Sequence, residues 1–444
     1  MILRTELRRS AAPVVGGGLL VFALGLVYLL SGPWWKGTAP WNEEWTGLAQ
    51  WTRYLAIFVW PLVLGASAWQ GLRDRRSRMT ELLDSMPKPP WQRALPPAGA
   101  LALALVAAYA LLLVVGGVQV ASNTSYFHLK WLPVAGVMVL ALVAFGLLGF
   151  AAGRLVPSLL TPPVLAVAGL AAQLMVVQSG WPLLLTPVFE APDITAYTTV
   201  APTVTLTQAL WFAGLGVTGF ALAVVRGAVR RLAALLPAAL AAAVTATVLS
   251  GVDDPIVADD AASALVCDDD GPRVCVLRPH RDDLASVTGP AREALALLGK
   301  LPSAPTSVVE VPPTYDYRRH PDDVVPVVLV GADVGALIED PARITPHVLA
   351  GAGTQACARA ETSDDWEFLV RQTVARTIAA AWFVGEPRPL PGFRYDWDAD
   401  QELIRSTWKK FHALPETEQR DRISALRAAA LDCDGDLLTI LERP

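Results

Sequence analysis

Charged residues are missing from seven apolar runs in the first 250 residues of this 444-residue chain, and cysteine is missing from the whole of that part. The runs cover residues 11–31, 54–71, 96–121, 132–153, 161–182, 208–225 and 232–250. A helix rises about 1.5 Å per residue, so roughly 18 to 20 apolar residues cross a hydrocarbon core about 30 Å thick. The absence of charge therefore predicts membrane-spanning helices.

Long apolar runs are absent after residue 250, where only short ones such as 324–330 remain. We therefore predict a polytopic α-helical membrane domain of about seven transmembrane helices over residues 1–250, followed by a soluble α+β domain over residues 251–444. The first part holds 16 Lys and Arg against 8 Asp and Glu, and the second holds 20 against 33. An acidic second domain argues against a nucleic-acid partner, because nucleic acid is bound by clustered basic residues.

Basic residues are scarce in one of the two sets of loops. With the N-terminus inside, the inner loops hold thirteen Lys and Arg and the outer loops hold three, Lys36, Arg53 and Lys130. Basic residues of short loops stay cytoplasmic, so seven crossings place the C-terminal domain outside. Enrichment in Ala, Arg and Val is typical of a high-GC bacterium. The sequence therefore predicts a multi-pass protein of the bacterial plasma membrane with an extracytoplasmic C-terminal domain.

All four cysteines, Cys267, Cys275, Cys357 and Cys433, lie in the second domain. Oxidising conditions outside the cell favour disulfide bonds, and four cysteines allow three connectivities. We prefer Cys267 with Cys275, because this pair closes a short turn, which leaves Cys357 with Cys433. The alternative is four buried free thiols in a cytosolic domain, which would require an even number of crossings. The absence of a CxxC motif makes a zinc site less favourable.

The second inner loop, residues 72–93, is rich in arginine and contains an amphipathic pattern. Met79, Leu82, Leu83 and Met86 are spaced at i, i+3, i+4 and i+7, which places them on one face of a short helix that Pro87 ends. This helix either lies in the lipid interface or enters a groove of a cytosolic partner, and the chemistry of the residues leaves both interpretations open.

Three features occur together in this part: a first helix preceded by Glu6-Leu7-Arg8-Arg9, a wide outer loop, and an Arg-rich inner loop with Glu81-Leu82-Leu83-Asp84-Ser85-Met86-Pro87. This combination resembles the permease subunits of type-2 ATP-binding-cassette exporters. The resemblance covers about residues 1–230. It implies that this inner segment is a coupling helix docking on a cytosolic ATPase. The implied docking residues are Met79, Glu81, Leu82, Leu83 and Met86. It also implies a dimer with a second copy or a related permease. The family has six spans, so a seventh would deliver the C-terminal domain to the outside.

A GxxxxGK[ST] phosphate loop and an HExxH zinc motif are both missing. We therefore expect no enzyme activity and no cofactor in this chain, and ATP hydrolysis in a partner subunit. The deepest polar side chains in the runs are Gln119, Gln173 and Gln178, which we interpret as helix-packing residues. The lack of buried charge favours a hydrophobic or amphipathic cargo over an inorganic ion.

The second domain has the patterns of a mixed α and β fold. Strands are predicted at 274–278, 306–311 and 324–330, and helices at 284–298, 366–382, 400–411 and 416–430. The segment 374–385 resembles the zinc-binding helix of gluzincin aminopeptidases, with Trp382 and Phe383 aligned. That alignment puts Arg376, Thr377 and Ala380 at the zinc and catalytic positions, and these residues offer no zinc ligand. The resemblance thus implies a pseudo-peptidase, whereas a plain core helix explains the same residues.

Two polar runs of the second domain, 278–283 and 315–323, contain histidine and carboxylates and are otherwise typical of solvated loops. We predict a transporter permease with an external accessory domain. The competing hypothesis is a membrane-anchored sensor or scaffold whose outer domain binds a ligand or an envelope component. An active peptidase on the outer face is a third, and it would require bound zinc.

Overall fold

The structure is a computed structural model that describes residues 6–7, 10–31, 41–42, 44–73, 88–177, 179, 181–188, 197–252, 254–312, 321–331, 335–355, 366–390 and 397–443. The chain divides into two compact units, Met1–Asp259 and Asp260–Pro444. Each unit has its own cluster of buried hydrophobic side chains, as expected of independent domains.

The first unit is built mainly of helices. They are α1 (Ala12–Ser31), α2 (Trp45–Tyr54), α3 (Ala56–Gly71), α4 (Pro90–Asn123), α5 (Trp131–Leu155), α6 (Thr161–Val176), α7 (Pro202–Val224), α8 (Ala228–Ala234) and α9 (Leu236–Leu249). A short 3-10 helix, Trp181–Leu185, lies between α6 and α7. Proline lies in the first turn of α4, α6, α7 and α9, where its missing N–H removes no intrahelical hydrogen bond.

Five helical segments of the described residues are long and apolar enough to cross a membrane: α1, α4, α5, α7 and the pair α8–α9. The pair α2–α3 would make a sixth span, although it bends by 57°. Helix α6 has 16 residues, so its length of about 24 Å is less than a hydrocarbon core. A helix forms in each predicted run, but the predicted count of seven crossings is not confirmed, because it needs both the bent pair and the short α6 to cross.

Helix α2 is an element that we did not predict, because its polar and charged residues are typical of a loop. It begins at Glu44, whose carboxylate accepts hydrogen bonds from the backbone N–H groups of Thr46 (2.7 Å) and Gly47 (3.2 Å). The buried Glu44 carboxylate also contacts Nε2 of His128, in the connection after α4. Trp45 stacks on Trp131 at 5.7 Å. This part of the predicted outer loop is therefore a packed helix.

A small sheet extends the first unit past the predicted boundary at residue 250. Strand β1 (Thr198–Val200) pairs antiparallel with β2 (Ile256–Ala258). The buried Asp259 carboxylate then binds Nζ of Lys130 at 2.7 Å, and its backbone N–H donates to the carbonyl of Tyr197. These contacts tie the segment after α9 to the membrane unit, so the observed division falls after Asp259.

The second unit contains a four-stranded sheet with the order β3 (Leu265–Asp268), β4 (Arg273–Leu277), β5 (Ser307–Glu310) and β6 (Val324–Val327). The first pair is antiparallel, and the β4–β5 and β5–β6 pairs are parallel. A two-stranded ribbon, β7 (Val330–Gly331) with β8 (Gly335–Ala336), follows.

The helices of the second unit are α10 (Leu284–Leu298), α11 (Ile344–Leu349), α12 (Trp366–Val384), α13 (Trp397–His412), α14 (Glu416–Asp432) and α15 (Leu437–Leu441), with short 3-10 turns between some of them. Helix α10 joins β4 to β5, as parallel strands require a crossover. Strands β4 to β6 and helices α10, α12, α13 and α14 lie where the sequence predicts them, within a few residues at each end.

Candidate functional site

The predicted ATPase-docking residues Met79, Glu81, Leu82, Leu83 and Met86 lie outside the described residues. The structure instead describes the two ends of their loop. The first end is the C-terminus of α3, which stops at Gly71, and the second is the N-terminus of α4, which starts at Pro90 after the N-cap Pro89. The candidate site is therefore the set of contacts that hold the helices at the ends of this loop.

The first end of the loop is tied to the N-terminal segment. The guanidinium of Arg73 binds the carboxylate of Glu6, with a second contact of 3.3 Å between Nη2 and Oε1. One turn earlier, the side-chain oxygen of Gln70 accepts a hydrogen bond from the backbone N–H of Ala11, at 3.1 Å. Glu6 belongs to the Glu-Leu-Arg-Arg segment on which the family resemblance rests. The structure thus joins this segment to Arg73, at the start of the inner loop.

Glycines bring the backbones of α3 and α5 into direct contact. A Cβ added to Gly149 would lie 2.1 Å from the carbonyl oxygen of Leu64, and one added to Gly153 would lie 2.1 Å from that of Ala68. From the other helix, a Cβ on Gly71 would lie 2.2 Å from the carbonyl oxygen of Phe150. Gly149 and Gly153 form a GxxxG pattern, which permits close approach of helices in lipid. This pattern was a readable signal that the sequence analysis missed.

The same helices are fixed on their other sides. A Cβ on Gly65 of α3 would meet the carbonyl oxygen of Pro162 in α6 at 2.7 Å, and one on Gly219 of α7 would meet the backbone of α5 at 2.8 Å. Helix α3, which leads into the loop, is therefore in close backbone contact with α5 and with α6. A displacement of the loop would move α3, α5 and α6 together, because close-packed interiors transmit strain.

Arg53 is a buried cation that the sequence analysis assigned to an outer loop. Its side chain has no solvent exposure; Nε donates to the carbonyl of Pro187 (2.9 Å) and Nη2 donates to the side-chain oxygen of Gln208 (2.6 Å). The amide nitrogen of Gln208 donates in turn to the carbonyl of Leu184. Arg53 therefore joins α2 to Pro187, just after the 3-10 helix, and to α7. It lies outside the predicted apolar runs, and it is a buried charge that the sequence analysis placed in a loop.

The predicted helix-packing glutamines make contacts between helices. Nε2 of Gln119 donates to the hydroxyl of Tyr28 at 2.7 Å, and Oε1 of Gln173 accepts from Nε1 of Trp60 at 2.8 Å. Gln178 lies outside the described residues. Polar side chains that are paired in this way join helices.

In the second unit, the three residues aligned with the zinc and catalytic positions of the peptidases, Arg376, Thr377 and Ala380, lie on α12 and are buried. The guanidinium of Arg376 donates to the backbone carbonyls of Thr354 and Gln355. The hydroxyl of Thr377 donates to the carbonyl of Thr373 at 2.9 Å, as buried threonines in helices commonly do. Ala380 is 4% exposed. The described residues include no group of three His, Cys, Asp or Glu side chains placed to hold a metal ion.

In the polar run 278–283, His280 makes a buried hydrogen bond at the carboxyl ends of two parallel strands. Nδ1 of His280, just after β4, lies 2.6 Å from Oε1 of Glu310, the last residue of β5. The other oxygen of Glu310 accepts the backbone N–H of Leu277 at 2.6 Å. Both side chains are at most 10% exposed. Partial burial, with the nearby carboxylates of Asp282 and Glu310, raises the pKa of Asp283, and His280 opposes this shift. The second polar run lies mostly outside the described residues.

Replacing Asp283 by asparagine is expected to stabilise the second unit at neutral pH. A raised folded-state pKa means that the ionised carboxylate is penalised in the folded protein, so its contribution to stability falls as the pH rises through that pKa. The gain should disappear in the acid range, where Asp283 is protonated in both states. Thermal unfolding of both proteins across this pH range measures it, and a variant that is less stable at neutral pH would contradict the assignment.

The predicted Cys267–Cys275 disulfide is present in the structure, with the sulfur atoms 2.03 Å apart. Cys433 is also disulfide-bonded. Its predicted partner, Cys357, lies outside the described residues, so that pairing stays a prediction. Among the described cysteines none is a free thiol.

Comparisons with known proteins add nothing to this description, because no family model, curated protein or solved structure matches the chain.

Proposed function

We propose that this chain is the membrane-spanning permease subunit of an ATP-binding-cassette exporter. A separate cytosolic ATPase would dock on the loop 72–93 and drive it. The observation that carries the proposal is the close packing of α3. This helix enters the loop, its end is bound to the N-terminal segment through Arg73 and Glu6, and its backbone touches that of α5. A displacement of the loop by the ATPase would therefore be transmitted through α3 to the helices packed against it. Because the sequence lacks a phosphate loop, ATP hydrolysis is assigned to a partner subunit.

A groove on the first unit supports a hydrophobic or amphipathic cargo. The groove lies between α1, α3 and α6 and has a volume of about 440 Å³, which is within the range of small-molecule sites. Its walls are almost entirely apolar and include Val15, Leu19, Phe22, Leu62, Trp69 and Ala166. An acyl chain or an apolar peptide segment fits such walls, whereas an inorganic ion would find no polar ligand there.

The proposed topology is a cytoplasmic N-terminus and an extracytoplasmic C-terminal unit in a bacterial plasma membrane. It uses the bent pair α2–α3 as one crossing and the short α6 as another, with local thinning of the bilayer at α6. The excess of basic residues in the inner loops supports this arrangement. A dimer with a second copy or a related permease would complete the transporter.

Replacing Leu82 and Leu83 together by aspartate is expected to abolish co-purification of the ATPase. Two carboxylates on the docking face would be desolvated without partners at the interface, at a cost of several kcal/mol. The matched control places aspartates at Leu159 and Leu160, two exposed leucines in the connection between α5 and α6 on the proposed inner side. Affinity purification from the native host, with quantification of the ATPase, provides the measurement.

The proposal fails if the wild-type chain is isolated stably with no ATPase, or if the Leu82 and Leu83 variant retains it fully. The first outcome would favour the competing function, a membrane-anchored sensor or scaffold. Equal loss in both variants would show that the docking face is not the segment proposed.

A further inference from the structure

The Cys267–Cys275 disulfide joins two strands at an edge of the four-stranded sheet. The two cysteines are directly opposite each other in the antiparallel β3–β4 pair, and β3 is the terminal strand in the order of this sheet. Backbone pairing already holds these strands together, and the loop that the bond closes is short. A disulfide that closes a short loop removes less entropy from the unfolded chain than one that closes a long loop. By this argument the bond contributes less stability than a disulfide between distant residues would.

The two cysteines differ in their exposure to solvent. Cys275 is 1% exposed, whereas Cys267 is partly exposed at the sheet edge. Thiol–disulfide exchange requires that a thiolate reach one of the two sulfurs, so the accessible sulfur receives the attack. In this pair Cys267 is the more exposed residue, so we take its sulfur as the accessible one.

A cation lies beside the accessible sulfur. Nη2 of Arg273 is 3.4 Å from Sγ of Cys267, and Nε of the same side chain lies 3.2 Å from the carboxylate of Asp269. A guanidinium next to a cysteine stabilises its thiolate, and this favours both the approach of an anionic nucleophile and the departure of Cys267 as a thiolate.

The hairpin stays in place without the covalent bond. Arg292 of α10 donates to the carbonyl of Pro272 (3.1 Å) and binds the carboxylate of Asp268 (2.9 Å). The backbone N–H of Asp270 donates to the same carboxylate, and together these contacts lower the pKa of Asp268, so the ion pair persists well into the acid range. After reduction, the two thiols would remain opposite each other and ready to reoxidise.

We propose that Cys267–Cys275 is a reversible thiol–disulfide exchange site, at which Cys267 forms the mixed disulfide with an external thiol. A thiolate of the co-reactant, a dithiol, attacks Sγ of Cys267. The Cys267–Cys275 bond breaks, and its electron pair leaves on Cys275, which takes a proton from water. The second thiolate of the dithiol then attacks its own sulfur in the mixed disulfide and releases Cys267 as a thiolate. The dithiol is oxidised by two electrons, and the cysteine pair is reduced by two.

Reduction of the full-length protein in detergent by graded dithiothreitol tests the proposal. Free thiols are trapped with N-ethylmaleimide and assigned by peptide mass spectrometry, and Cys433, which is also disulfide-bonded, serves as the internal reference. We expect Cys267 and Cys275 to be labelled at a dithiothreitol concentration at least about tenfold lower than Cys433. Labelling of Cys433 at the same or a lower concentration would overturn the proposal.

Two further measurements examine the chemistry at Cys267. Reduced glutathione should leave its mixed disulfide on Cys267, and an adduct found only on Cys275 would overturn the assigned direction of attack. Arg273→Gln should slow reduction by up to about fivefold, the rate equivalent of one partly exposed charge interaction. The matched control is Arg281→Gln. Arg281 is exposed and pairs with the carboxylate of its neighbour Asp282. Equal rates in both variants would remove Arg273 from the site.

Discussion

Replacing Gly149 by alanine is expected to destabilise the first unit strongly, by about 1–3 kcal/mol or more, as overpacking of a close-packed interface does. The added Cβ would lie 2.1 Å from the carbonyl oxygen of Leu64, which is a backbone atom and cannot rotate away. Helices α3 and α5 would have to separate, and their contacts at Gly153 and Gly71 would weaken along with the one at Gly149. Thermal unfolding in detergent, followed by size-exclusion chromatography, measures the loss of folded protein.

The matched control for this prediction is Gly136→Ala on the same helix. Nothing lies within 4 Å of a Cβ at Gly136, and alanine is the better helix former by about 1 kcal/mol, so this variant should be at least as stable as the wild type. If the Gly149 and Gly136 variants unfold at the same temperature, the helices do not approach as closely as described. The proposal that movement of the loop 72–93 is transmitted through α3 to α5 would then lose its support.

The apolar helices of the first unit could be predicted because crossing a bilayer would require a length and an absence of charge that can be counted along the chain. Helix α2 was not predicted in this way, because Arg53 and its polar neighbours lower the hydropathy of a segment that packs inside the protein. The burial of Arg53 depends on acceptors at Pro187 and Gln208, more than 130 residues away in the sequence. No local pattern contains that information.

The second unit shows the same limit. Strands β4 to β6 and helices α10, α12, α13 and α14 follow from period and apolar content, and a short turn between Cys267 and Cys275 was enough to predict their disulfide. The pairing of His280 with Glu310 could not be predicted in this way, because it requires the parallel register of β4 and β5. A carboxylate that ends a buried strand, as Glu310 ends β5, was the available signal that a partner must lie at the edge of the sheet.

The pseudo-peptidase hypothesis is a case in which a resemblance and a plain structural explanation remain side by side. Arg376 holds the carbonyls of Thr354 and Gln355, and Thr377 bonds within its own helix. These contacts stabilise the core of the second unit whether or not an ancestor bound zinc. The kinship itself stays a prediction.

Replacing Glu310 by alanine is expected to lower the stability of the second unit by several kcal/mol, because each buried donor left without an acceptor costs about 1–3 kcal/mol. The change leaves the N–H of Leu277 without its acceptor and His280 without its carboxylate. Glu310→Gln keeps the shape and one acceptor, so it should lose clearly less. Glu339→Ala, at an exposed carboxylate, should stay within about 0.5 kcal/mol of the wild type. Hydrogen exchange of peptides from β4 and β5 in the full-length protein gives the opening free energy. Equal protection in the Glu310 and Glu339 alanine variants would show that the buried pair does not hold these strands together.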